Sequence, residues 1–280
     1  MNKRCQLRQK LAEAALIRVA GAHDALGARL VEEAGFDAVW ASGLEISASH
    51  GVPDASILSM TECLHAADIM NRASALPIIA DCDSGYGGIN NVLHVVREYE
   101  RRGIAAVCIE DKLFPKRNSF YAGNQDLLPT DEFVAKLKAA KAAQADPDFI
   151  VIARTEAMVS GFGPDEVIRR AEAYAQAGAD MILVHSKAKV LDEVRAVMAL
   201  GCKFKPVAII PTTYDVSATE LAQLEVSMVI FANQGLRSAV RSMRETFRTL
   251  ARTNQPSCVE ENLATLKEIF ALQRMENWEL

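Results

Sequence analysis

Eight short apolar runs, separated by longer amphipathic segments, constrain the fold of this 280-residue chain more than any other feature. Parallel strands that are buried on both faces are continuously apolar, as these runs are, and the segments between them have the period of helices. Eight strands alternating with helices predict an α/β fold, a closed (β/α)8 barrel of the TIM type. The runs occupy residues 16–20, 38–41, 77–81, 105–110, 149–154, 181–185, 206–210 and 226–231.

A repeated tag at residues 33–38 and 176–181 favours one barrel over two domains. Both segments end a helix, turn at Ala-Gly and begin a strand, with the sequences EAGFDA and QAGADM. We therefore expect a single barrel domain over residues 1–280. An open doubly wound sheet would show the same alternation, although the glycine loops at 85–90 and 161–166 do not match the dinucleotide fingerprint.

Residues 259–274 carry apolar side chains at helical spacing beyond the eighth repeat. This pattern predicts an amphipathic C-terminal helix. Such a helix would pack on the barrel or on a partner subunit.

Polar side chains follow the apolar runs at the point where each run ends. Inward-facing residues recur at every second position of a strand, and barrel enzymes place their reactive groups at the carboxyl ends of the strands. We therefore expect one rim to be shared by Trp40, Ser42, Asp81, Asp83, Glu110, Arg154, Glu156, His185 and Thr212.

Three carboxylates that converge beside Arg154 predict a divalent metal site. Isolated buried charges are costly, and a hard cation with oxygen ligands would compensate Asp81, Asp83 and Glu110. We expect magnesium, with manganese as the alternative. Zinc is disfavoured because His185 is the only imidazole on this rim and the cysteines show no ligand spacing.

Some of these residues also have ordinary structural interpretations. Asp81 and Asp83 precede glycines and would cap a turn there. Glu156 would form a structural ion pair with Arg154 in the barrel mouth. His185, taken alone, resembles a core histidine.

The segment EDKLFPKRNSF at residues 110–120 follows a buried run and brings charge to the end of that strand. It contains cations, an amide, a hydroxyl and a proline. These features predict a lid that closes over an anionic, metal-bound ligand, although an ordinary solvated loop would also be charged.

Composition and charge exclude several partners. The formal net charge is −5, and no long basic run offers the cationic face that nucleic acid requires. No apolar run reaches the length of a transmembrane helix, so we expect no membrane partner. The six cysteines are scattered without CxxC spacing, and the basic N-terminus lacks the apolar stretch of a signal peptide. We expect a cytoplasmic protein with reduced thiols.

The motifs resemble a known group of enzymes, the phosphoenolpyruvate mutase and isocitrate lyase superfamily, and within it the phosphoenolpyruvate mutase family. The resemblance covers nearly the whole chain. It implies a modified β/α barrel, assembled as a homodimer or homotetramer, in which neighbouring subunits exchange their last helices. The motifs are WASGL at 40–44, DCDSGYG at 81–87, EDKLFPKRNSF at 110–120, residues 148–156, and HSK at 185–187.

The same resemblance implies roles for individual residues. It places magnesium on Asp81, with Asp83 and Glu110 contributing through waters. It makes Arg154 and His185 contacts of the phosphoryl group. The substrate-binding candidates are Trp40, for which packing alone is an alternative, and Ser42, Gly43, Leu44 and Ser119. The remaining catalytic candidates are Asp54, Lys116 and Asn118.

The activity implied by the resemblance is that of an isomerase, the magnesium-dependent interconversion of phosphoenolpyruvate and phosphonopyruvate. A decarboxylase of phosphonopyruvate is the implied pathway partner. Asp54 would act as a covalent nucleophile or through its charge, and the sequence leaves both open.

Other activities remain as alternatives. Phosphonopyruvate hydrolases resemble the mutases but tend to have threonine where this chain has Asn118. The related lyases carry a cysteine in the loop, which this chain lacks, and a related 2-oxoacid lyase or decarboxylase is therefore less favoured. A Schiff-base aldolase using Lys112 or Lys116 and a barrel that only binds small anions complete the set.

Overall fold

The computed structural model describes residues 2–13, 16–123 and 125–278. Eight parallel strands pair in chain order, and the eighth pairs with the first to close a barrel. The predicted (β/α)8 architecture is confirmed, and the strands begin and end within two residues of the predicted runs. They are β1 (Ile17–Ala22), β2 (Ala38–Ala41), β3 (Ile78–Asp81), β4 (Ala106–Glu110), β5 (Ile150–Thr155), β6 (Met181–Val184), β7 (Val207–Ile209) and β8 (Met228–Phe231).

Helices surround the barrel, and several begin or end at residues with a clear capping function. Ser59 and Glu62 form a capping box at the start of α4, and Pro164 begins α7. The helices are α1 (Lys3–Ala12), α2 (Ala25–Glu33), α3 (Gly43–Ser49), α4 (Met60–Ala73), α5 (Ile89–Arg101), α6 (Thr130–Ala143), α7 (Pro164–Gln176), α8 (Asp192–Ala199), α9 (Ala218–Gln223), α10 (Gln234–Thr253) and α11 (Leu266–Gln273). Within the described parts of the chain, every helix is too short or too polar to cross a bilayer.

The register of β3, β4 and β5 aligns the polar strand ends. Asp81 pairs with Cys108, and Glu110 pairs with Arg154. Alternate residues of all eight strands fill the barrel interior, and Leu7 of α1 packs against them. The opposite faces of the strands pack against the surrounding helices. Polar side chains at the carboxyl ends of these strands therefore lie on one rim.

The C-terminal segment differs from the prediction of one helix over residues 259–274. The α-helix is limited to Leu266–Gln273, and 3-10 turns occupy Pro256–Cys258, Glu260–Asn262 and Met275–Asn277. Helical spacing of apolar residues continues through the turns, but the capping box of Thr265 and Glu268 starts the helix later.

Within the single chain, α11 lies against α2. An Arg29 guanidinium nitrogen donates to the Leu272 carbonyl oxygen, and Arg274 lies 3.6 Å from a Glu32 carboxylate oxygen.

Candidate active site

A small cavity opens at the carboxyl ends of the strands, beneath the segment predicted as a lid. Its volume is about 40 Å³, well below the range of roughly 300–1,000 Å³ that is usual for ligand pockets. It is lined by Trp40, Ser42, Leu44, Asp54, Asp81, Glu110, Lys116, Asn118, Ser119, Phe120, Arg154, His185, Ile210, Thr212, Ala232 and Asn233. The structure thus brings together all of the predicted site residues except Gly43 and Asp83, which lie immediately beside the cavity.

The three carboxylates lie beside Arg154 and Lys116. Arg154 Nη1 is 4.0 Å from Asp81 Oδ2, and Arg154 Nε is 3.4 Å from Glu110 Oε2. Lys116 Nζ lies 3.0 Å from Asp83 Oδ1. Burial raises the pKa of Asp81 and raises the pKa of Asp83 to about 7. Burial thus opposes the charged carboxylates, and a nearby cation would favour them.

The carboxylate oxygens fit a magnesium ion that keeps part of its water shell. Glu110 Oε1 is buried without a hydrogen-bond partner, and Asp83 Oδ1 has only the ion pair with Lys116, which is not directed as a hydrogen bond. Among the described residues, no group of three or more His, Cys, Asp or Glu side chains is arranged to hold a metal directly. Magnesium commonly uses one or two protein carboxylates plus waters, so this donor set suits it better than it suits zinc.

The start of α3 lies against the same carboxylates. Ser42 caps this helix, and its Oγ accepts from the Glu45 backbone N–H at 3.3 Å. A Cβ atom on Gly43 would lie 3.2 Å from Asp83 Oδ1 and 3.3 Å from Asp81 Oδ2. Glycine at this position therefore permits the close approach of the helix to the carboxylates.

The segment predicted as a lid covers the cavity in this structure, and Asp54 is its main anchor. Lys116 Nζ donates to Asp54 Oδ1 at 2.5 Å, and Asn118 Nδ2 donates to Asp54 Oδ2 at 2.6 Å. The lid is also tied by its backbone, since the Lys116 N–H donates to Ser56 Oγ at 3.0 Å. Lys116 is buried in this arrangement, with an exposed fraction of 7%.

The anchor is a charged pair. Burial alone would raise the pKa of Asp54, but the charge and hydrogen bond of Lys116 lower it below its ordinary value. Burial likewise opposes the charged form of Lys116, but Asp83 and Asp54 raise its pKa well above the ordinary value. Both groups are therefore charged at neutral pH.

Glu156 contacts both Arg154 and His185. The sequence placed it on the rim, with a structural ion pair to Arg154 as an alternative, but did not select it as a site residue. Its Oε1 accepts from Arg154 Nε at 2.5 Å and lies 2.7 Å from His185 Nδ1. Burial opposes its charged form, but Arg154 and then His185 hold the pKa of Glu156 well below its usual range. Its position two residues after Arg154, on the inward face, was the available signal.

His185 presents its other ring nitrogen without a hydrogen-bond partner. Nε2 is buried and unpaired, and the ring of Phe120 approaches the imidazole edge to face at 5.6 Å between centroids. Burial lowers the pKa of His185, against the opposing charge of Glu156. Nδ1 lies 2.7 Å from Glu156 Oε1 and 2.9 Å from Arg154 Nη2. A carboxylate only accepts and a guanidinium only donates, so the first contact requires a proton on Nδ1 and the second requires its lone pair.

Other cavity residues were not selected as site residues from the sequence. Thr212 had been placed on the inward face, and its buried Oγ1 has no hydrogen-bond partner. Asn233, at the start of α10, has a weaker signal: it is the first polar residue after β8. Phe120, Ile210 and Ala232 contribute apolar surface.

Comparisons with known proteins agree with this arrangement. Residues 7–251 match the family model described as phosphoenolpyruvate phosphomutase. The phosphoenolpyruvate phosphomutase of Tetrahymena pyriformis is 44% identical, over 97% of this chain and 91% of that protein.

Two solved structures have nearly the same fold. That of phosphoenolpyruvate phosphomutase from Streptomyces platensis subsp. rosaceus has a TM-score of 0.96 and 49% identity, covering 98% of this chain and 96% of its own. A phosphonopyruvate hydrolase in complex with oxalate and Mg²⁺ has a TM-score of 0.94 and 41% identity, covering 99% of this chain and 96% of its own. The chain belongs to the phosphoenolpyruvate phosphomutase family.

Proposed function

We propose that this protein is a magnesium-dependent phosphoenolpyruvate mutase, an isomerase that interconverts phosphoenolpyruvate and phosphonopyruvate. The observation that carries the proposal is the closed lid, in which the Asn118 amide and Lys116 meet Asp54 beside the rim carboxylates. The similarity to the two phosphomutases supports the same activity.

The reaction moves a phosphoryl group within one bound molecule. The bond between phosphorus and the enol oxygen breaks, and C3 of the resulting pyruvate enolate forms a bond to phosphorus. No proton or electron is gained or lost. Catalysis therefore consists of holding both fragments, stabilising their charge and excluding water.

The residues divide between the two fragments. Ser42, Gly43 and Leu44 would hold the carboxylate and enolate oxygens. Arg154, His185 and Asn118 would hold the phosphoryl group as it passes between atoms. Magnesium, held by Asp81 with Asp83 and Glu110 through waters, would supply positive charge to the developing enolate. Trp40 and Ser119 would complete the walls of the site.

The lid must open for substrate to enter, because the cavity beneath it holds only about 40 Å³. In the closed position Lys116, Asn118 and Ser119 line the cavity, and Ser119 donates to Glu156. Closure would keep water from the phosphoryl group, which otherwise would be released as phosphate.

Asp54 is proposed to act through its charge. Both of its oxygens accept short hydrogen bonds from the lid, and these contacts reduce its availability as a nucleophile. Rapid acid quench during turnover, followed by mass spectrometry of the intact protein, tests this role. We expect no phosphorylated protein, and a phosphate adduct lost in Asp54→Asn would establish the covalent role instead.

The decisive test of the activity is phosphorus NMR of the purified protein with magnesium and phosphonopyruvate. Formation of phosphoenolpyruvate supports the mutase. Inorganic phosphate with pyruvate would replace it with the hydrolase, the activity named for the 41% identical structure. An unchanged spectrum would favour a barrel that only binds small anions.

A Schiff-base aldolase is disfavoured by the state of the two candidate lysines. Lys116 is paired with Asp54 and Asp83, which raise its pKa, whereas a Schiff-base lysine needs a lowered one. Lys112 is also paired, since its Nζ lies 3.4 Å from Glu156. Failure of borohydride to trap pyruvate on the protein is the expected result.

We further propose a homodimer or homotetramer in which C-terminal helices are exchanged. Within the described chain, α10 has no buried residue, and its Val240, Met243 and Phe247 are exposed. An apolar groove of about 660 Å³ between α2 and the start of α10 offers a surface for a neighbouring subunit.

The remaining proposals concern the setting of the reaction. We propose that manganese can substitute for magnesium, because Asp81, Asp83 and Glu110 offer oxygen ligands only. The resemblance implies an equilibrium that favours phosphoenolpyruvate, so a decarboxylase of phosphonopyruvate is proposed to remove the product. We propose a cytoplasmic location and no nucleic-acid partner, consistent with the net charge of −5.

A further inference from the structure

We propose that Glu156 is a positioning residue that couples closure of the lid to the orientation of Arg154 and His185. The two oxygens of its carboxylate have separate partners, one set on the rim and the other at the lid. This inference rests on the proposed function for the roles of Arg154 and His185, but the coupling itself is a property of the side chains.

Glu156 lies one residue beyond the end of β5 and is fully buried. Its Oε1 contacts the rim, as described above. Its Oε2 accepts from Ser119 Oγ at 2.7 Å and lies 3.4 Å from Lys112 Nζ. A carboxylate has about four acceptor positions, and these contacts occupy them.

The backbone of Glu156 is also held in place by hydrogen bonds. The Glu156 backbone N–H donates to Asp111 Oδ1 at 2.8 Å, and Asp111 Oδ2 accepts from Tyr174 at 2.7 Å and from Arg170 at 3.1 Å. These groups lie immediately after β5, immediately after β4, and on α7. Glu156 is therefore fixed to the barrel and does not travel with the lid.

Lys112 holds the moving part of the lid against Glu156. Its own backbone is anchored at the base, where it forms a bridge with Leu127. Its Nζ donates to Ser119 Oγ at 2.7 Å and to the Arg117 carbonyl at 2.9 Å. Ser119 thus receives one hydrogen bond from Lys112 and gives one to Glu156.

Opening of the lid would remove Ser119 and leave Glu156 Oε2 with Lys112 alone. When a buried carboxylate loses one hydrogen bond, its interactions with the remaining donors become stronger and its position shifts towards them. Those donors are Lys112, Arg154 and His185, the same three charged or titratable groups that face Glu156. The closed lid and one arrangement of Arg154 and His185 therefore stabilise each other.

Two variants test the lid contact and the rim contacts of Glu156 separately. Ser119→Ala removes the lid contact and leaves the rim contacts. Glu156→Gln keeps one acceptor oxygen for the rim but places an amide where Lys112 and Ser119 now donate. Thermal unfolding first establishes that each variant folds. If Glu156→Gln does not fold, Ser119→Ala alone provides the test.

The first measurement is trypsin cleavage after Arg117, an exposed lid residue, in the presence of magnesium and oxalate. It needs no turnover, so it is independent of whether the protein proves to be a mutase. We expect cleavage to be roughly tenfold faster in either variant than in the wild type, because each loses a hydrogen bond to a charged group. The double variant should be cleaved no faster than Glu156→Gln alone.

The second measurement follows the histidine side chains by NMR with labelled histidine, assigning His185 by its loss in His185→Asn. In the wild type, magnesium and oxalate should shift the His185 signal as the lid closes. In Ser119→Ala that shift should be lost, which a merely structural role would not produce. Additive cleavage rates, or a His185 shift that survives in Ser119→Ala, would overturn the coupling.

Discussion

The Asn118 side chain is the lid group on which the fate of the phosphoryl group is expected to depend. It donates to Asp54 and lines the cavity from the lid side. Asn118→Thr replaces its amide donor by a smaller hydroxyl, which leaves room for water. We expect the ratio of phosphate released to phosphoenolpyruvate formed to rise by about tenfold, the effect of losing one hydrogen bond to a charged group.

Phosphorus NMR of the product mixture measures that ratio directly. Tyr121→Thr is the matched control, because this lid residue is 70% exposed and lies outside the cavity lining. A ratio in Asn118→Thr equal to that of the control would count against the role assigned to Asn118.

At the scale of elements, the contact of α3 with the end of β3 is expected to set magnesium affinity. Gly43→Ala would place a Cβ atom 3.2 Å from Asp83 Oδ1 and 3.3 Å from Asp81 Oδ2, closer than an ordinary contact. The carboxylates must then move by a few tenths of an ångström. We expect the magnesium concentration for half-maximal activity to rise several-fold.

Gly163→Ala is the matched control, since no atom lies within 4 Å of the Cβ it would add. Titration of activity with magnesium compares the variants, and thermal unfolding shows whether Gly43→Ala has changed more than the site. An unchanged magnesium dependence in Gly43→Ala would contradict the assignment of Asp81 and Asp83.

The contact between the residue after β1 and helix α3 is expected to make the free energy of unfolding depend on pH. His23 Nδ1, just after β1, lies 3.1 Å from Glu45 Oε2, and this hydrogen bond raises the pKa of His23. The folded protein thus binds the proton more tightly than the unfolded chain. The stabilisation is full below the unfolded pKa of about 6.5 and is lost as pH rises through the folded pKa.

His23→Gln keeps a hydrogen-bond donor but removes the charge. Its deficit in the free energy of unfolding should be present at pH 6 and should shrink towards pH 9, as measured by urea unfolding. Glu45 is buried, but the His23 side chain is 22% exposed and is screened by solvent, so we expect the deficit to stay below about 1 kcal/mol. His94→Gln, at an exposed position of α5, is the matched control for the change of residue type.

At the scale of the whole molecule, the exposed apolar face of α10 is expected to mediate assembly. Charged side chains at Met243 and Phe247 would oppose burial of this face against another subunit. Met243→Glu with Phe247→Glu should therefore reduce the mass measured by sedimentation. Leu200→Glu, at an exposed position at the end of α8, should leave the mass unchanged. Assembly that persists in the double variant would show that the α10 face is not the subunit interface.

The sequence by itself determined the barrel and most of its active rim. Strand periodicity places alternate residues on the inward face, and the parallel direction of the strands brings Asp81, Glu110, Arg154 and His185 to one end. The same reasoning failed for residues 259–274, where apolar spacing persists through 3-10 turns and the helix is limited to Leu266–Gln273.

Only the tertiary structure decided which of these groups act together. Lys116 and Asp54 are 62 residues apart in the chain, and Glu156 meets Ser119 across 37 residues. Such pairs depend on how a loop folds back over the barrel, and no local period encodes that path. Burial makes an unpaired charge costly, and the rim carboxylates accordingly share two cations, Arg154 and Lys116.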